Sequence, residues 1–212
     1  MVLFDYWRSS ASYRVRIALG LAGLEFEPVQ VNLLECEHRS AAHRSRNPQG
    51  LVPALEIDGI VITQSLAIIE YLHETGRGEF LHGSPKIRAM TRAVAQAIAM
   101  EIHPVCNLSV ARHAVDASDG SIALESWMTT FIPRGLEAVE AMLGLFEDGI
   151  FCCGDRISIA DICLVPQVYN AKRWGVDLSP YGLIREAVAA AEKLPQVRAA
   201  HPDNFKPNGV RT

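Results

Sequence analysis

The chain opens on an apolar run, Val2-Leu3-Phe4, breaks into polar residues, and resumes with Val15, Ala18, Leu19 and Ala22. The first run predicts a strand. The second, with gaps of three and four, predicts the buried face of a helix. Between them stand Ser9, Ser10 and Ser12, and a serine cluster ahead of the first apolar position marks a helix start. Glu27 to Val31 alternates as a second strand, and Ser40 to Arg46 reads as a short polar helix stopped by Asn47-Pro48. Asp58-Gly59 separates two alternating apolar runs, the pattern of a two-residue hairpin. Ala67 to His73 has helical spacing and is closed by Gly76. The expected order is β-α-β-α-β-β-α, a small mixed sheet with helices packed on it.

Strand-like alternation largely stops after Phe80. Gly76, Gly78, Gly83 and Pro85 punctuate a linker, which divides the chain into an α/β domain over 1–82 and an all-helical domain over 83–212. Ser84-Pro85 begins a long helix whose apolar face is Ile87, Met90, Val94, Ala97, Ile98 and Ile102. Pro104 should kink or break it. A second long helix is expected over Ser126 to Phe146, perturbed at Pro133. Ser158-Ile159-Ala160-Asp161 has the form of a capping box ahead of Ile162, Val165, Val168 and Tyr169, so Asp161 reads as structural. The tail from Asp203 is polar, with Pro and Gly, and reads as loosely held.

Composition narrows the function classes. With 20 basic and 24 acidic residues the net charge is −4, and nothing suggests a nucleic-acid partner or an anionic membrane. No run approaches the roughly 20 apolar residues that span a bilayer. Asp5 and Arg8 interrupt the first apolar stretch too early for a secretory signal, so a cytoplasmic protein is expected. Cys36, Cys106, Cys152, Cys153 and Cys163 are odd in number and scattered, which favours reduced thiols acting as buried small hydrophobes. The seven histidines lack metal-ligand spacing, and no metal is expected.

The candidate chemistry sits at the first helix start. Unpaired N–H groups and the positive dipole end stabilise an anion there. No Gly-x-Gly-x-x-Gly or Gly-Lys-Ser/Thr is present, so the anion is not a nucleotide phosphate. A thiolate suits the same site, with serine hydroxyls as donors. A helix merely capped by serines is the plain alternative.

Val52-Pro53 before the third strand, Gln64-Ser65 before the third helix and the serine-rich first turn together resemble the glutathione transferases. The run from Arg8 to Leu19 is similar to the zeta class, which includes maleylacetoacetate and maleylpyruvate isomerases. The likeness continues through Gln64 to Leu72, Asn107-Leu108-Ser109-Val110 and Val176 to Tyr181, nearly the whole chain in order. The resemblance implies a thioredoxin-like first domain, an all-helical second domain, glutathione as cofactor and a homodimer. It implies a cis Val52-Pro53 bond that leaves the Val52 backbone to pair with the tripeptide's cysteinyl unit. Gln64 and Ser65 would receive the γ-glutamyl end, and Ser9 and Ser10 the sulfur. Ala11, Ser12, His38, Asn107 and Ser109 would also line the cofactor site. His103 would stand at a bend over it, unless it is an ordinary surface histidine.

The implied reaction is cis–trans isomerisation of maleylacetoacetate or maleylpyruvate, by thiolate addition to the cis double bond, rotation and elimination. Such a substrate carries two carboxylates on an enone, and the arginine fork matches a carboxylate bidentately. Arg8 and Arg173 are the candidates for that role; their plain alternatives are packing on Trp7 and Trp174. Arg14 and Arg16 read as structural ion-pair residues on the helix flank. One departure stands out. The zeta pattern has Cys where this chain has Ala11, which puts chemistry needing that thiol in doubt. Two other functions fit the same pattern: transfer to or dehalogenation of small α-halo acids, and a binding module that has lost its chemistry.

Overall fold

The computed structural model describes residues 1–147 and 149–207. Its first half carries the elements that the alternation predicts: β1 (Val2–Asp5), α1 (Ser10–Leu21), β2 (Glu27–Gln30), α2 (Ala41–Arg44), β3 (Ala54–Ile57), β4 (Ile60–Thr63) and α3 (Ser65–Glu74). The sheet order is β2-β1-β3-β4. β1 lies parallel to β2 and antiparallel to β3, with Leu3 opposite both Pro28 and Leu55. Pro28 is tolerated because β2 is an edge strand, where a missing N–H costs little of the ladder. Asp58 and Gly59 both take positive φ (53° and 76°), as a tight two-residue hairpin requires. Asp58 also ties that turn to α3 and beyond, accepting from Tyr71 Oη at 2.5 Å and from both Arg77 terminal nitrogens at 2.5 and 2.9 Å.

α1 departs from the amphipathic expectation. Every residue from Ser12 to Leu19 is buried, including Arg14 and Arg16, because the helix is covered by both α3 and a late element. That late element is α10 (Pro195–Ala199), which packs along α1. The described part of the segment from Lys193 thus belongs with Met1–Phe80 in one unit, while Leu81–Glu192 forms the second. This division differs from a clean split after residue 82. The tail is also held as far as Lys206, whose Nζ lies 5.6 Å from the Trp7 ring centroid. A 3-10 turn over Pro202–Phe205 stacks Phe205 on Phe26, with ring centroids 6.2 Å apart and planes 8° from parallel.

The second unit contains α4 (Pro85–Gln96), a π-helical stretch Ala97–Ile102, α5 (His103–Val105), α6 (Leu108–Asp116), α7 (Leu124–Leu143), α8 (Ile159–Arg173) and α9 (Gly182–Ala191). The expected break at Pro104 takes the form of that π stretch. Proline has no N–H and its ring crowds the carbonyl four residues back, and a wider turn just before it relieves both. The π stretch brings Ile102 so close to α7 that a Cβ on Gly135 would lie 2.3 Å from Ile102 Cγ1. Pro133 does not interrupt α7, which runs through it as one helix and ends at Leu143, short of Phe146.

The Ser158–Asp161 box forms as read. The Asp161 carboxylate accepts from Ser158 N, Ser158 Oγ and Cys152 N, each at 2.8 Å. Asp161 is therefore a buried structural carboxylate. Among the described residues none of the five cysteines is in a disulfide; Cys106, Cys152 and Cys163 are buried, Cys153 partly so. Cys36 is exposed, against the expectation of a buried hydrophobe. No helix of the described residues is long and apolar enough to cross a membrane.

Candidate active site

The start of α1 is built from a tight turn. Ser9 N donates to Tyr6 O at 2.9 Å, which makes Trp7 and Arg8 the central residues of a β-turn. Ser9 is the N-cap of α1, and its Oγ accepts from Ser12 N at 3.2 Å. Since that oxygen is already engaged as an acceptor, the hydroxyl hydrogen is what Ser9 offers to an anion. Ser10 is the first helical residue, and Ala11 follows it at the same positive end of the helix dipole. Ser12 is fully buried and receives Tyr6 N at 3.5 Å, so it closes the turn from inside. Arg8 is half-buried, with its guanidinium 5.3 Å from the Trp7 ring centroid. The packing alternative for Arg8 is thus what the chain shows without substrate.

Two further elements of the first unit carry site residues expected from the sequence. The Val52-Pro53 peptide is cis, as the resemblance implied. The peptide just before it is anchored twice: the Leu51 carbonyl meets His43 Nε2 and Asn47 Nδ2, each at 2.8 Å. His43 and Asn47 are both buried and were not among the sequence candidates. His38 reaches this loop through its backbone, since a Cβ on Gly50 would meet the His38 carbonyl at 3.0 Å. The His38 ring has a buried Nδ1 without a hydrogen-bond partner, and burial, then Arg39, pushes its pKa down, favouring the neutral ring.

At the start of α3, Gln64 takes a positive φ of 69°, and its amide donates to Gln49 Oε1 at 2.7 Å. Ser65 opens the helix, is buried, and accepts from Arg14 Nη1 at 3.3 Å. Arg14 is therefore a cation behind Ser65 rather than a flank residue, which the sequence reading missed. The signal was available: an arginine inside a run otherwise destined for the core.

The second unit holds the other candidates. His103 is half-buried at the end of the π stretch, immediately before Pro104. Asn107 caps α6, its Oδ1 accepting from Ser109 N at 3.0 Å and Ser109 Oγ at 2.9 Å, so these two side chains bond each other. Arg173 is the last residue of α8 and exposed, with its guanidinium 5.9 Å from the Tyr169 ring. That ring lies one helical turn back on the same helix.

The first-unit geometry fits glutathione. A hydroxyl and helix end suit a thiolate, a fixed peptide before Val52 suits a backbone partner, and Ser65 backed by Arg14 suits a carboxylate. Residues 1–74 match the family described as glutathione S-transferase, N-terminal domain, and 124–202 match glutathione S-transferase, C-terminal domain. A maleylacetoacetate isomerase of Rhizobium meliloti is 54% identical over 97% of this chain and 98% of its own. Among solved structures, a bacterial zeta-class maleylpyruvate isomerase has a TM-score of 0.92 at 38% identity, covering 99% of this chain and 100% of that one. A maleylacetoacetate isomerase of Methylobacterium extorquens, solved with malonate and glutathione, has a TM-score of 0.90 at 33% identity over all of both chains. The chain belongs to the glutathione S-transferase family, within its zeta class.

Proposed function

We propose that this protein is a glutathione-dependent cis–trans isomerase of a maleyl dicarboxylate, maleylacetoacetate or maleylpyruvate. The observation that carries the reading is the Tyr6–Ser9 turn, which presents an arginine fork and two serines together at the start of α1. Glutathione, which Val52, Gln64 and Ser65 would hold, would supply the thiolate nucleophile for reversible addition to the cis double bond beside the ketone and would be regenerated on elimination. Ser9 donates its hydroxyl hydrogen towards the sulfur, Ser10 stands beside it, and the positive end of α1 favours the ionised form. Each unit by which the thiol pKa falls supplies about 1.4 kcal/mol. Gln64 and Ser65 receive the γ-glutamyl carboxylate, with Arg14 adding charge behind the hydroxyl. Val52 offers its backbone to the cysteinyl unit, and His38 flanks the same loop.

Arg8 and Arg173 take the two carboxylates of the substrate. Arg8 leaves the Trp7 face to do so, at a cost of about 1–2 kcal/mol for a partly desolvated cation–π contact, which a bidentate carboxylate offsets. Ala11 offers no thiol, so the chemistry rests on the sulfur of glutathione. His103, Asn107 and Ser109 are proposed, on the resemblance alone, as cofactor-binding residues of the second unit, with Asn107 and Ser109 acting as one bonded cap.

The protein is further proposed to work as a homodimer in a reducing compartment such as the cytoplasm. Exposed Met1, Ile60 and Val61 in the first unit support a covered surface, and cysteines outside disulfides support the compartment. The deciding assay gives purified protein maleylacetoacetate and maleylpyruvate with and without glutathione. The expected result is turnover only with glutathione, which is recovered unconsumed. Stoichiometric consumption of glutathione with α-halo acids, and no isomerisation, would make the transferase alternative the correct one.

A further inference from the structure

Arg16 is buried on α1 and makes three bonds to three different stretches of the first unit. Its Nη1 lies 2.5 Å from Asp5 Oδ2, its Nη2 donates to Trp7 O at 2.9 Å, and its Nε donates to Ala200 O at 3.2 Å. The other face of the network is Gln30. Its Nε2 donates to Asp5 Oδ1 at 3.2 Å, while its Oε1 accepts from Trp7 N at 3.3 Å. Both backbone groups of Trp7 are thereby held, and Trp7 is the first central residue of the turn that presents Arg8 and Ser9. The N–H of Trp7 lies in the Tyr6–Trp7 peptide and its C=O in the Trp7–Arg8 peptide, so holding both orients the two planes on either side of Trp7, and with them the direction in which the chain delivers Arg8 and Ser9.

Half of this support comes from the far end of the chain. Besides Ala200 O, the Phe205 ring covers the Arg16 guanidinium at 4.6 Å, and Lys206 Nζ lies 5.6 Å from the centroid of the Trp7 ring that also carries Arg8. A buried guanidinium needs partners for its charge and its donors, and no lysine offers that fork. We infer that Arg16 is a positioning residue and that residues 200–206 are a strap, which together set the orientation of the Arg8–Ser9–Ser10 turn and so the ionisation of the thiol bound there. This rests on the glutathione reading for its consequence, but not for its geometry.

The test uses full-length Arg16→Lys and Phe205→Ala, the second being the safer variant because Phe205 is only half-buried. Amide hydrogen exchange, measured with no ligand, should rise about tenfold over residues 8–12 and stay at the parent rate over 54–63. With glutathione, the ultraviolet absorbance of the bound thiolate should report a higher thiol pKa, and kcat should fall roughly tenfold or more. Calorimetric affinity for glutathione should change less than about threefold, because Val52 and Ser65 lie outside the network. Exchange that is unchanged over 8–12, or that rises equally over 54–63, overturns the strap, as does an unshifted thiol pKa in both variants. If the parent itself fails to bind glutathione, the functional reading falls, and the exchange arm still decides the strap by itself.

Discussion

At the scale of single residues, Ser9 was readable because capping is a local affair: a hydroxyl three residues ahead of an amide it accepts from. The structural ion pair expected of Arg16 forms, with Asp5, but Arg14 and Arg16 are buried rather than on a flank, because Ser65 and Ala200 O reach them from distant parts of the chain. His43 and Asn47 were missed for another reason: their shared partner, Leu51 O, is only eight and four residues away, but a side chain bonding a loop carbonyl leaves no periodic signal. Arg8 and Arg173 carry a direct prediction. Replacing either by Lys keeps the charge and loses the planar fork, so maleyl turnover should fall by about tenfold or more while glutathione affinity holds. The Arg173→Lys loss should appear mainly in KM, and that of Arg8→Lys in kcat as well. Steady-state kinetics at the parent rate for both variants would remove the two arginines from the substrate site.

The cysteines make a second prediction at this scale. Burial pushes the Cys106 thiol up to about 11 and Cys153 to about 12, and Cys152 is raised well above its ordinary value, by burial first and then by Asp161. At pH 8 a thiol of pKa near 11 is ionised to only about one part in a thousand. A colourimetric thiol reagent on native protein should therefore titrate one fast group, exposed Cys36, and Cys36→Ser should abolish that phase. Two or more fast equivalents in the parent would contradict the burial of the others.

At the scale of elements, alternation and turn chemistry were enough to place all four strands, and the hairpin formed at Asp58-Gly59. Pattern alone did not show how a helix absorbs a proline. Pro104 produced a π stretch, while Pro133 was passed without a break, because neighbouring packing decides which backbone groups are re-satisfied. The hairpin turn also carries a pH signature. Bonds from Arg77 and then Tyr71 hold the Asp58 carboxyl below its ordinary value. A depressed folded-state value stabilises the protein above the unfolded value of about 3.9, and that share is lost as pH falls through the folded one. Asp58→Asn should melt lower than the parent from pH 7 down to about 5, with the gap closing below about pH 4. A gap that stays constant down to pH 2 would mean that the carboxylate charge is not what holds the turn.

At the scale of the whole molecule, the division into an α/β unit and a helical unit followed from where alternation ends. The return of the described tail to the first unit did not, because a polar stretch with Pro and Gly looks the same whether it is solvated or clasped. Met1, Ile60 and Val61 are 39%, 50% and 41% exposed on or beside the sheet, more apolar surface than an edge strand usually leaves open. Sedimentation should give about twice the 23.3 kDa chain mass across micromolar concentrations. A mass near that of one chain, independent of concentration, would exclude the dimer.

The sequence by itself determined what depends on neighbours along the chain: the strand and helix pattern, the Ser9 cap, the Asp58-Gly59 turn, the Ser158–Asp161 box and the family resemblance. The cap, the turn and the box are relations over two to four residues, where backbone sterics and short-range hydrogen bonds decide the outcome, and the resemblance is a string of such short runs along nearly the whole chain. Only the tertiary structure decided which charges are buried, what they touch and where the tail goes. Arg16 meets Asp5 eleven residues away and Ala200 at a separation of 184 residues. Burying that guanidinium is tolerable only because those partners converge on it, and convergence of distant segments leaves no periodic mark in the sequence.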